Sequence, residues 1–211
     1  MGFKDIGNGI VYDEITHVYR HNGVKLPSVT TVVMHRNPIP QFLLKKASFQ
    51  IAMQHGTEVH NATEYLDSIG LVPADIMSNY KTDDVIPHAE RWLRWKDKYV
   101  DEILAIELGI VSIKYGYCGR VDRVARLRDE RIAVIDLKTG AVSTGGRIQV
   151  AAYVKAVEEM GEAVEAGLLV SLKEEEAKKS EINMLKHFGM FIDRLDEYNK
   201  DMTLERYMEA P

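Results

Sequence analysis

Glu107, Asp122, Asp136 and Lys138 are the residues whose types and spacing can do chemistry. Asp136 and Lys138 end the run Ile132-Ala133-Val134-Ile135-Asp136-Leu137-Lys138, whose apolar, β-branched composition predicts a strand. Alternate residues of a strand share a face, so Ile132, Val134, Asp136 and Lys138 lie together. An acid and a lysine thus sit side by side on a core strand. Isolated buried charge is expensive, so both need partners. Gly119 to Ala125 reads as the preceding strand of a hairpin that turns at Arg128-Asp129-Glu130-Arg131, which brings Asp122 towards Asp136. One strand earlier, Ile103 to Val111 is nearly all apolar and carries Glu107 as its one charge. Carboxylates gathered from consecutive strands repel one another unless a cation sits among them. Oxygen ligands of this kind suit a hard cation, Mg²⁺ or Mn²⁺. A protonated lysine cannot ligate it, but can stabilise a developing anion or orient a water.

The elements that must position these groups follow from periodicity. Gly9 to Lys25 predicts a β-hairpin, with Val11-Tyr12-Asp13 and His17 to Arg20 as strands and His21-Asn22-Gly23 as the turn. His17, His21 and His35 lack metal-ligand spacing and read as surface or turn residues. Ser28 is placed to cap a short helix. After Pro38 and Pro40 a helix is expected from Gln41 to about His55. A second one follows from Gly56 to Leu66, with Val59, Ala62, Thr63, Leu66 and Ile69 as its apolar stripe and His60 at the stripe's edge. Asp67 to Pro87 reads as a connection, and His88 to Val100 as a helix whose Trp92, Trp95 and Tyr99 are expected to pack rather than to stack on bases. The Gly-rich stretch Thr139 to Arg147 reads as a loop, either a connector or a phosphate contact, followed by a helix from Ile148 to Met160 with Gln149 and Tyr153 on one face. Ala163 to Leu172 predicts a core strand, and Lys173 to Lys179 a solvated charge run. A last helix is expected over about Glu181 to Lys200, burying Leu185, Phe188, Ile192 and Leu195.

A chain of 211 residues builds one domain by default. The net charge of −5 argues against a protein that coats nucleic acid. Basic residues nevertheless gather in the central stretch, Arg120, Arg123 and Arg147 among them. No run is apolar enough to span a bilayer, and no signal-peptide core opens the chain. A single cysteine, Cys118, excludes a cysteine-ligated iron–sulfur cluster and an intramolecular disulfide and fits a reducing cytoplasm. No P-loop sequence is present, so no motor of that kind is encoded.

Gly119-x-x-Asp122, Asp136-x-Lys138 and Gln149-x-x-x-Tyr153, preceded by Gly56-x-x-x-His60, resemble the PD-(D/E)XK nuclease superfamily, in particular its RecB-like exonuclease branch of phage-type, mitochondrial and CRISPR-associated enzymes. Val121 stands where the superfamily's name has proline. The resemblance implies an α/β fold with an αβββαβ restriction-endonuclease-like core around a central mixed sheet. The chain would then be a single nuclease domain, with the N-terminal hairpin and helices over 1–100, the core sheet over 101–172 and the C-terminal helix over 181–200. It implies hydrolysis of DNA phosphodiesters with one or two Mg²⁺ or Mn²⁺ ions. Asp122 and Asp136 would hold the metal with the Leu137 carbonyl, and His60 and Glu107 would complete the site. Lys138, Gln149 and Tyr153 would act at the reacting phosphate, with Arg120, Arg123 and Arg147 contacting nucleic acid. DNA ends or single strands are the implied substrate, in recombination or repair, in the cytoplasm of the cell or of a phage host. A homo-oligomer and a recombination or replication partner are compatible with such a role. The alternatives are a structure-specific endonuclease and an inactive scaffold; intact Asp122, Asp136 and Lys138 argue against the scaffold.

Overall fold

The computed structural model describes residues 3–13, 18–69 and 85–208. His17 and most of the expected connection lie outside them. The N-terminal part is a four-stranded antiparallel sheet in chain order: β1 (Phe3–Asp5), β2 (Ile10–Asp13), β3 (Val18–His21) and β4 (Val24–Leu26). The expected hairpin is therefore two hairpins sharing β3. Asn22 and Gly23, with φ of 48° and 83°, turn the chain between β3 and β4 rather than ending it. Three helices follow: α1 (Val29–Met34), α2 (Gln41–Leu44) and α3 (Ala47–Ile69). Ser28 caps α1, its Oγ accepting the Thr31 N–H at 3.0 Å.

α3 runs unbroken through Gly56, where the sequence predicted a boundary. One interior glycine costs a helix only about 1 kcal/mol, which the buried stripe Val59, Ala62, Thr63 and Leu66 offsets. The helix also carries Asp67, expected in a connection, to a fully buried position. α4 (Val85–Tyr99) takes Pro87 within its first turn, where a missing N–H does no harm.

The second sheet holds β5 (Val100–Ser112), β6 (Tyr117–Leu127), β7 (Ile132–Lys138), β8 (Ala166–Ser171) and β9 (Lys178–Glu181), in that order. It is antiparallel except where β8 joins β7 in parallel. α5 (Thr144–Glu159) makes that crossover, and α6 (Met184–Met208) closes the chain. The αβββαβ succession is thus α3 or α4, β5, β6, β7, α5 and β8. α5 starts earlier than predicted, because Ser143 caps it through the Gly146 N–H at 3.0 Å and draws the glycines into its first turn. β9 is a strand of charged and polar residues at a sheet edge, so no apolar alternation announces it.

The sheet is a core on both faces. Val124, Val134 and Leu169 pack with α5, α6 and α1, and Ala125, Ala133, Ile135 and Leu168 pack with α3 and α4. Trp92 and Trp95 are buried in this second layer, as expected for packing residues. In α6 the buried line is His187, Phe191 and Leu195, while Leu185, predicted to be buried, is 91 % exposed. Of the predicted line, Phe188, Ile192 and Leu195 pack on the core, while Leu185 falls in the first turn and faces solvent.

The N-terminal sheet is fixed to β5 at Gly109. Asn8 Nδ2 donates to its carbonyl at 2.9 Å, and a Cβ there would meet the Ile6 carbonyl oxygen at 2.5 Å. Only glycine allows the two backbones to approach so closely.

Candidate active site at the splayed strands

β6 and β7 pair from Arg126↔Ile132 to Arg123↔Ile135 and then part company. Beyond that point the Leu137 N–H finds no strand carbonyl. It donates instead to Asp122 Oδ2 at 2.8 Å. The acid thus fills the opening between the strands, and the opening becomes the site's mouth. α3 supplies the other wall. His60 Nε2 lies 3.1 Å from the Leu137 carbonyl oxygen, and its Nδ1 3.4 Å from Asp122 Oδ2.

Glu107 arrives from β5 by an unusual backbone. Its φ is +49°, a left-handed conformation that few residues other than glycine adopt inside a strand. Ligand atoms of His60, Glu107 and Asp122 come within 4.8 Å of one another. Asp136 stands behind them, 1 % exposed, with its Oδ2 2.7 Å from Lys138 Nζ. Buried as it is, that oxygen has the Lys138 ammonium as its partner. Lys138 Nζ also lies 3.5 Å from Gln149 Oε1, and Gln149 Nε2 donates to the Tyr153 hydroxyl at 2.7 Å. β7 and α5 therefore meet in one line, Asp136, Lys138, Gln149, Tyr153. Gly119 is part of this arrangement: a Cβ on it would stand 3.0 Å from Tyr153 Cε1.

The electrostatics show what the site lacks. Burial, followed by the nearby Asp122 charge, pushes the Glu107 carboxyl up to about 7 against the pull of Arg120. Burial likewise raises Asp136, with Lys138 opposing and Asp122 adding to the rise. For Lys138, burial favours loss of its proton, but Asp136 and Asp122 outweigh it and its pKa is raised. The lysine stays an ammonium. Carboxylates held this close suit a divalent cation. His60, Glu107 and Asp122 together could hold such an ion.

The three arginines part ways. Arg120 Nε lies 2.8 Å from Glu107 Oε2, at the site's rim, with its side chain 38 % exposed. Arg147 is half-buried in the first turn of α5. Arg123, expected to contact nucleic acid, is fully buried. Its Nε donates to Asp67 Oδ2 at 2.7 Å, its Nη1 to the Asp122 carbonyl at 2.6 Å, and its Nη1 lies 3.6 Å from Glu107 Oε1. It fixes the backbone that carries Asp122 and offers no surface to a phosphate. β6 alternates faces, so Arg123 had to point away from Asp122 and into the α3 layer.

Two other neighbours stand at the site, Glu64, at helical spacing from His60, and Tyr19, of which the sequence pattern gave no sign. Glu64, one turn after His60, lies near enough to act on Glu107 and Arg120. Tyr19, from the N-terminal sheet, is close enough to feel Arg120 and Glu107, and burial pushes its hydroxyl up to about 12. Glu64 shares α3 with His60, whereas Tyr19 comes from β3 and only the fold brings it to the site.

No curated protein matches the chain. Among solved structures it is similar to one titled "Crystal structure of SSO0001", at 19 % identity over 67 % of this chain and 71 % of that one, with a TM-score of 0.38. The sequence profile of the PD-(D/E)XK nuclease superfamily matches residues 50–207, from the first turn of α3 to near the end of α6. The matched span holds His60, Glu107, Asp122, Asp136 and Lys138, and by it this chain belongs to the PD-(D/E)XK nuclease superfamily.

Proposed function

We propose that the protein is a metal-dependent DNA exonuclease that hydrolyses phosphodiester bonds from strand ends, in the course of recombination or repair. The observation that carries the reading is the meeting of Asp122, Asp136 and Lys138 where β6 and β7 part, with His60 and Glu107 on one side and Gln149 and Tyr153 on the other. Asp122, Asp136 and the Leu137 carbonyl would hold the cation, and Glu107 and His60 would complete its shell. A bound divalent cation supplies a more acidic water and offsets charge on the phosphate.

The chain's own residues do the rest. Lys138, kept protonated, presents its ammonium where negative charge grows on the phosphate. Gln149 fixes the direction of that ammonium from one side and Asp136 from the other. Tyr153 holds Gln149 in turn. A groove of about 410 Å³ runs from Lys138 past Gln149, Ser143 and Thr30 to Arg194, which gives a strand a path to the site. Arg120 and Arg147 are the arginines left to meet the backbone of DNA.

The preference for ends rests on the likeness of Gly56-x-x-x-His60 and Gln149-x-x-x-Tyr153 to RecB-like exonucleases. The acidic balance of the chain supports it, since a weak hold on duplex interiors favours threading from an end. End-labelled linear DNA and covalently closed circles, incubated with Mg²⁺ or Mn²⁺, test the reading. Linear DNA is expected to be degraded and circles spared, with EDTA abolishing both label release and loss of full-length strand. Rapid opening of circles, absent with Asp136→Ala, would establish an endonuclease instead.

A further inference from the structure

A second cavity lies away from the cleavage site, between α4 and the loop after β8. It holds about 230 Å³, several times the ~30 Å³ share of one water. Its charge is opposite to that of the molecule. Arg91, Arg94 and Lys98 line it against one acid, Glu176, in a chain whose net charge is −5.

The cations are held in position. Arg91 Nη1 donates to the Leu172 carbonyl at 3.1 Å, and Arg94 Nη2 to the Glu175 carbonyl at 3.5 Å. Arg94 also lies 3.7 Å from Glu90, an exposed ion pair of little strength. A guanidinium has five N–H donors, so one bond to the loop fixes its plane and leaves others for a ligand. The Lys98 and Lys179 ammoniums both sit by the Tyr99 ring, at 5.1 and 4.6 Å from its centroid. Two like charges around one ring favour an anion close by.

Trp95 supplies the observation that points to a ligand. It lines the cavity, is 4 % exposed, and its Nε1–H has no acceptor among the described residues. The neighbouring Trp92, stacked on it at 5.6 Å, gives its own Nε1–H to Asp67 at 2.8 Å. A buried indole N–H without an acceptor costs about 1–3 kcal/mol, and beside three cations an oxyanion is the acceptor that satisfies it.

We propose that this cavity binds a phosphate group, at a site distinct from the one that cleaves. Arg94, Lys98 and the Trp95 N–H would be its donors, a mixture of forked, point-like and neutral donors that suits a tetrahedral oxyanion better than a planar carboxylate. The phosphate belongs either to a nucleic-acid strand or to a free nucleotide. The site is joined to the catalytic strand: Leu172, whose carbonyl holds Arg91, donates its own N–H to the Lys138 carbonyl at 2.7 Å.

The chain has two tryptophans, so its ¹H–¹⁵N spectrum holds two indole N–H signals, and Trp95→Phe assigns them. The full chain in EDTA, where no turnover occurs, is titrated with inorganic phosphate, thymidine 5′-monophosphate, a twelve-residue oligothymidylate and an oligoglutamate. The Trp95 signal is expected to shift saturably with the phosphate ligands, while the Trp92 signal stays. Arg94→Ala with Lys98→Ala, both exposed positions, should weaken that binding at least tenfold. Tighter binding of the oligonucleotide assigns the phosphate to a strand, and equal binding of the monophosphate assigns it to a nucleotide. A Trp95 signal that no phosphate moves, that moves equally in the double variant, or that oligoglutamate moves as strongly would overturn the proposal. None of these results depends on nuclease activity, so a failure of the exonuclease reading would leave them intact.

Discussion

Arg123 donates its Nε–H to Asp67 Oδ2 at 2.7 Å, and neither side chain is exposed beyond 1 %. The pair ties α3 to β6 directly beneath the candidate site. Asp67 has further partners, since Lys96 Nζ lies 2.6 Å from its other oxygen and Trp92 Nε1 donates to Oδ2. The two residues therefore differ in what their loss leaves behind. Asp67→Asn strands two cations, one of them wholly buried, and should cost about 3–5 kcal/mol. Arg123→Met leaves Asp67 with Lys96 and Trp92 and should cost less. Urea unfolding of both variants checks the order, and equal losses would show that Lys96 and Trp92 do not hold Asp67 once Arg123 is gone.

Arg123→Met should also touch function, because the guanidinium holds the Asp122 carbonyl and lies beside Glu107. Calorimetric titration with Mn²⁺ is expected to show weaker binding in Arg123→Met. Unaltered Mn²⁺ affinity in a folded Arg123→Met protein would make its role purely structural.

The pH response of the metal-free protein follows from Glu107. Its carboxyl is raised from 4.5 to about 7, chiefly by burial. The folded state thus binds this proton more tightly than the unfolded state does. Below the unfolded value both states are protonated and nothing is lost. Between the two values the folded state must give up a proton it holds more tightly, so stability falls as pH rises, and above about 7 the loss is complete. In EDTA the Tm should therefore decline from about pH 4.5 to about 7, and Glu107→Gln should flatten that slope. Divalent metal should restore the Tm most at the upper end. A Tm in EDTA that rises over this interval would contradict the assignment.

The strands of the core and the order of their acids were legible in the sequence, since period-two apolar runs and Asp136-x-Lys138 are local patterns. What stayed hidden was which face each charge takes once strands and helices pack. Arg123 looked like Arg120, yet Arg120 stands two residues from Asp122, on its face of β6, and Arg123 one residue away, on the other face. Only the position of α3 turns Arg123 into a buried anchor. Asp67 looked like linker because its partners, Trp92, Lys96 and Arg123, stand 25, 29 and 56 residues away. β9 has no apolar pattern because it borders solvent, and the glycines at 145 and 146 concealed a helix start that depends on the Ser143 cap.

Gly119 makes a distinct prediction about Tyr153. The ring has little room to retreat, being 4 % exposed and tied through its hydroxyl to Gln149. Gly119→Ala places a methyl 3.0 Å from Tyr153 Cε1 and should cost about 1–3 kcal/mol by overpacking. The displaced ring takes Gln149 with it, and Lys138 loses its partner on α5. Activity should fall well beyond what the folded fraction explains. Adding Tyr153→Leu should recover stability and not turnover, which equilibrium unfolding and initial rates on labelled DNA can separate.

His60 tests whether the imidazole belongs to the site or to the packing. Its side chain is 30 % exposed, and its two nitrogens face the Leu137 carbonyl and Asp122 rather than an apolar wall. A residue placed so contributes little burial to the core, so His60→Ala should shift the Tm in EDTA by only a few degrees, about 1 kcal/mol. The Tm gain on adding Mn²⁺ should shrink much more, because one nitrogen donor is gone from the ligand cluster. His60→Gln, which returns a polar group of similar reach, should recover part of that gain. A large loss of Tm in EDTA, with the Mn²⁺-dependent gain unchanged, would return His60 to a packing role and leave Glu107, Asp122 and Asp136 as the side chains that hold the metal.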